Sequence, residues 1–155
     1  MKPILQALVV ADHVYEDKSG KKIIAGTFNT MGFSKKPPVT EVTLPDGTKQ
    51  QVLRGGMQSG SPFAYVSLTD VIDGTKLQLQ FVNLMKNEVL FGNEIMVNSV
   101  DRLSSIEMVF PLPRLPVTEP APYALELLCE GELLGSWKIT GIDMDAKREP
   151  PPKAT

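Results

Sequence analysis

Hydrophobic and polar positions alternate most cleanly at Leu77-Gln78-Leu79-Gln80-Phe81. A period of two with one apolar and one polar face describes a strand with core on one side only, as in an antiparallel sandwich; strands of a buried parallel sheet are apolar on both faces. The same reading marks strands at Leu5 to Val14, Lys22 to Phe33, Val39 to Leu44, Lys49 to Leu53, Phe63 to Thr69, Lys76 to Leu84, Glu88 to Phe91, Ile95 to Asn98 and Ile106 to Leu112. Thirteen Pro and twelve Gly separate these short runs, the punctuation of an all-β domain. Asp17-Lys18-Ser19-Gly20, Asp46-Gly47 and Asp73-Gly74 supply turn chemistry between successive strands. Val100 to Ser105 is the one stretch that reads as a helical turn. Pro111, Pro113, Pro116, Pro120 and Pro122 favour an extended, stiff crossover from one sheet to the other.

The last apolar stretch, Tyr123 to Ile139, holds the only Trp and the only Cys. Placing Tyr123, Leu125 and Leu127 inward with Leu133, Gly135, Trp137 and Ile139 requires odd positions to oppose odd positions, because directly opposed residues share a face. A two-residue loop at Glu130-Gly131 violates that parity. A three-residue loop, Cys129-Glu130-Gly131, satisfies it and predicts Tyr123 opposite Trp137. The expected fold is a single immunoglobulin-like antiparallel β-sandwich of about seven to nine strands over residues 1–142. Residues 143–155, DMDAKREPPPKAT, form a flexible tail rich in Pro and charge.

A chain of 155 residues can bury roughly two thirds of its unfolded surface around one core without disulfides. One Cys allows no intrachain bridge, which fits a reducing compartment or a secreted protein that does without bridges. The formal charge is −2, and the 16 basic residues are scattered, which leaves no nucleic-acid footprint. Ile4 to Ala11 is apolar but ends at Asp12-His13 without a small-residue cleavage site. No run approaches the ~18 apolar residues of a membrane-spanning helix. Cytoplasmic location is the expectation.

Reactive groups are few. His13 is the only His; Asp12 beside it points to the opposite face of a regular strand and cannot easily orient it. Cys129 lies among Glu126, Glu130 and Glu132, charges that raise a thiol pKa and disfavour a nucleophile. Asp70 with Asp73, and Asp143 with Asp145, fall short of the six to eight oxygen ligands that calcium takes. The glycine-rich run Arg54 to Ser61 lacks the Gly-Lys-Ser/Thr ending of a phosphate loop and reads as a flexible connection. Pro113-Arg114-Leu115-Pro116 matches a Pro-x-x-P ligand, subordinate to its role as a stiff crossover. No catalytic residue, cofactor or metal is assigned.

What remains is surface. Leu5, Ala7, Val9 and Ala11 fall on one parity of the first strand, and Ile4, Leu8 and Val10 on the other. A sandwich strand needs only one apolar face. Leu128 and Leu134 likewise fall on the outward parity of the last hairpin. Ile4, Leu8, Val10, Leu128 and Leu134 are therefore the candidate interface, with the chain itself or another protein as partner.

The order Ala11-Asp12-His13-Val14, Lys22-Ile23-Ile24-Ala25-Gly26-Thr27-Phe28, Pro62-Phe63-Ala64-Tyr65-Val66, Tyr123-Ala124-Leu125-Glu126-Leu127 and Gly131-Glu132-Leu133-Leu134-Gly135 resembles a family of small uncharacterised bacterial β-sandwich proteins, a domain of unknown function. The resemblance covers nearly the whole chain before the tail. It implies a stand-alone cytoplasmic sandwich and carries over no catalytic residue. The expected function is a non-catalytic interaction or assembly module. The alternative is a small-molecule or lipid-surface binding sandwich that uses Gly55 to Ser61 and neighbouring loop tips.

Overall fold

A computed structural model describes residues 2–34, 39–53, 61–99 and 101–146, and among them the chain forms strands and no helix. The strands are β1 Ile4–Glu16, β2 Lys22–Thr27, β3 Thr30–Phe33, β4 Val39–Thr43, β5 Lys49–Leu53, β6 Phe63–Thr69, β7 Thr75–Asn83, β8 Glu88–Val97, β9 Ile106–Pro111, β10 Pro122–Cys129 and β11 Glu132–Asp143. A four-stranded sheet, β2-β1-β6-β9, and a five-stranded sheet, β3-β11-β10-β7-β8, supply the two layers. Nine strands thus build the sandwich, and β4-β5 forms a separate two-stranded sheet beside it. The core between the layers is built from Val10, Ala64, Val66 and Leu68 on one side and Leu77, Leu79, Phe81, Tyr123, Leu125, Leu127 and Ile139 on the other.

The connections follow an immunoglobulin-like plan. Central strand β6 carries β1 and β9 on its flanks, and β10 carries β7 and β11. β3 runs parallel to β11, so the sandwich is not wholly antiparallel as expected. The cause lies in the Lys22 to Phe33 segment, which the alternation alone reads as one strand. Gly26 adopts a positive φ of 77°, the chain leaves the first layer at Phe28-Asn29, and β3 joins the second. Two bonds hold this crossing to β11: the Trp137 indole N–H donates to the Phe28 carbonyl (2.9 Å), and the Thr140 amide donates to the Asn29 carbonyl (2.8 Å).

Other connections differ from expectation for local reasons. Asp73-Gly74 does not close a hairpin, because β6 and β7 lie in different layers; the Gly74 amide instead donates to the Val97 carbonyl (3.0 Å). Glu88 to Val97 is one strand through Gly92-Asn93. Asp101 to Ser105 holds a side-chain-capped turn, not a helix: its carboxylate accepts from the Leu103 amide (2.9 Å) and the Ser104 hydroxyl (3.0 Å). Val100 lies outside the described residues.

The proline-rich segment crosses between the layers as expected. Its prolines alternate with buried Leu112, Leu115, Val117 and Ala121, so an extended chain unable to donate many ladder bonds is held by apolar pegs. The crossing ends at Tyr123, whose ring is buried and stacked on Phe81 at 5.6 Å. The Tyr123 hydroxyl accepts from the amides of Thr118 and Glu119 (both 3.3 Å) and lies 3.4 Å from the Glu119 carbonyl that it donates to. This is the tyrosine corner of immunoglobulin-like sandwiches. Gly141 completes the packing: a Cβ there would lie 2.5 Å from the Glu119 carbonyl oxygen.

The β10-β11 hairpin keeps the predicted inward face except at Leu133, which is exposed, and does so by a different device. Its loop is the two-residue Glu130-Gly131, with Cys129 opposite Glu132 and both loop residues at positive φ (51° and 80°), the geometry of a tight primed turn. A bulge then inserts Leu134, between the pairs Leu128 with Leu133 and Leu127 with Gly135, and restores odd-with-odd pairing. Tyr123 consequently opposes Ile139, and Trp137 opposes Leu125. β11 runs on to Asp143, the Met144 amide donates to the Phe33 carbonyl (2.9 Å), and the Ser34 hydroxyl donates to Asp145 (2.9 Å). Bonded structure therefore continues past Ile142; residues 147–155 of the expected tail lie outside the described residues.

Trp137 is half-buried and packs on the core while its N–H holds the β2-to-β3 crossing. Replacing it by Phe retains much of the apolar contact and removes the bond. Trp137→Phe is expected to lower unfolding free energy by about 1 to 2 kcal/mol, measured by urea denaturation.

Candidate interaction face

The strand pairings decide which side chains of the four-stranded sheet point away from the core. Leu8 pairs with Val66 and Val10 with Ala64, and these face the second layer. Val9 opposite Tyr65, and Ala11 opposite Phe63, therefore face outward. β9 extends the outward row with Val109 beside Tyr65 and Pro111 beside Phe63. β2 extends it the other way, with Ala25 opposite His13 and Ile23 opposite Tyr15. Tyr15 is 52% exposed and Ile23 50%. The His13 ring stacks on Tyr15 at 5.5 Å, which places both on one face. At the far end the Tyr65 hydroxyl donates to Glu107; burial first, then Glu107, pushes the Tyr65 phenol above its ordinary pKa.

The outer face of the five-stranded sheet is built differently. Its strands present Lys76, Gln78, Gln80, Glu94, Glu126, Ser136 and Lys138. These side chains bond across strands: Gln80 donates to Glu126 (3.0 Å), and Lys76 pairs with Glu94 (3.7 Å). One outer face thus has a central ladder of cross-bonded polar side chains, with Met96 and Leu133 exposed nearer its rim, and the other a row of apolar and aromatic side chains. Leu84, Met85 and Val89 add a smaller exposed apolar group at the β7-β8 turn.

The five residues anticipated from the sequence divide accordingly. Ile4 is 57% exposed. Leu8 packs on the core, and Val10 is fully buried within it. A register shift between Leu5 and Ala7 moves Gln6 out of the ladder and turns Leu5 onto the same inward side as Leu8 and Val10; Leu5 lies over the space left by Gly135. Leu128 is half-buried on the outward side of β10. The bulge turns Leu134 onto the core and leaves Leu133 exposed instead. Sequence reasoning missed Tyr15, Ile23, Phe63, Tyr65 and Val109. The available signal was that both β1 and β6, like Ile4 to Ala11 itself, are apolar on both parities.

His13 is exposed on this face, with the Tyr15 ring as its recorded neighbour. Cys129 is buried, and burial, ahead of Glu130, pushes its thiol up. Asp70 pairs with Arg102 (3.6 Å), and Asp73 accepts from the Ser99 amide (3.1 Å). Among the described residues no cluster of three His, Cys, Asp or Glu could hold a metal ion. Arg54 to Gly60 of the glycine-rich run lie outside the described residues. A shallow depression of about 270 Å³ is lined by Lys76, Leu77, Gln78, Glu94, Glu130 and Gly131. Its Lys76 and Glu94 already pair with each other. No helix among the described residues is long and apolar enough to cross a membrane. In comparison with known proteins, the chain matches no protein-family model and no curated sequence.

The two kinds of apolar position are separable by charge. Ile23→Lys is expected to change unfolding free energy by no more than about 0.5 kcal/mol, whereas Val10→Lys places an unpaired charge in the core and costs about 4 kcal/mol or more. Urea melts of the two variants check this.

Proposed function

We propose that this chain is a non-catalytic protein-interaction or assembly module that works through the outer face of the four-stranded sheet. The observation that carries the reading is the contrast between the two outer faces. Strands of a two-layer sandwich need one apolar face each, and the centre of the β7-β10-β11 layer follows that rule, with Gln78, Gln80, Glu126, Ser136 and Lys138 outward and Gln80 bonded to Glu126. The β2-β1-β6-β9 layer instead spends Tyr15, Ile23, Phe63, Tyr65 and Val109 on a surface its own core does not use. A contiguous apolar patch rimmed by polar groups marks an interaction site, and aromatic residues are the enriched anchors of such sites. The buried, unbridged Cys129 fits a reducing compartment, and the cytoplasm is the proposed location.

Ligand binding at the loop ends ranks second, since the depression beside Glu130-Gly131 is shallow and its Lys76 and Glu94 pair with each other. The test is comparative affinity capture from native cells. Wild-type protein and a Lys138→Glu control on the polar face are expected to retain the same partners, and Tyr15→Lys with Ile23→Lys to lose them. Identical capture by all three would contradict the reading.

A further inference from the structure

We draw no further inference here: the strongest candidate, the outer edge of β8 at Glu88–Val97 in the five-stranded sheet, carries nothing because nothing in the structure shows what covers it.

Discussion

The Tyr123 hydroxyl pins the end of the crossing that joins the two layers. It caps the amides of Thr118 and Glu119 at the end of the proline-rich crossing, while its ring stacks on Phe81 in the adjacent central strand. Prolines deprive that crossing of ladder donors, so side chains must fix its path. Leu112, Leu115, Val117 and Ala121 hold it from below, and Tyr123 holds it from the strand it enters. Gly141 lets β11 approach closely enough for its amide to donate to the Ala121 carbonyl (2.9 Å). With β10 so anchored, β7 and β11 pair on either side of it, and the five-stranded layer presents its hydrophobic side to β6.

Fixing the layers also fixes which surfaces are left over. Once Leu8, Val10, Ala64 and Val66 are committed to the core, the opposite parity of the same strands must face away from it. On the five-stranded layer that parity includes Gln78, Gln80, Glu126 and Lys138 at its centre, with Met96 and Leu133 exposed nearer its rim. On the four-stranded layer it includes Val9, Tyr15, Ile23, Phe63, Tyr65 and Val109 beside Ser67 and Glu107. Ala11 on this outward parity is nonetheless fully buried, opposite Phe63 in the paired strand.

The fold class was legible because alternation, turn residues and the proline crossover are local signals. The bulge at Leu134, the register shift at Gln6 and the layer switch at Phe28-Asn29 were not. Each inserts or redirects one residue, and a change of one residue reverses every face beyond it. That reversal is why Val10 and Leu134 read as surface in the sequence and pack in the core. It is also why Tyr123 meets Ile139 and not Trp137. Apolarity on both parities of β1 was visible from the start, and it pointed to the right strand while leaving the side unresolved. Pairing with β6 and β9 decides the side, and that is a long-range fact.

The tie at Tyr123 can be measured directly. Tyr123→Phe keeps the ring on Phe81 and removes only the hydroxyl, so urea denaturation should show a loss of about 1 to 2 kcal/mol with an unchanged slope. A loss below about 0.3 kcal/mol, within the error of such melts, would contradict the hydroxyl as the bond that pins the crossing to β10.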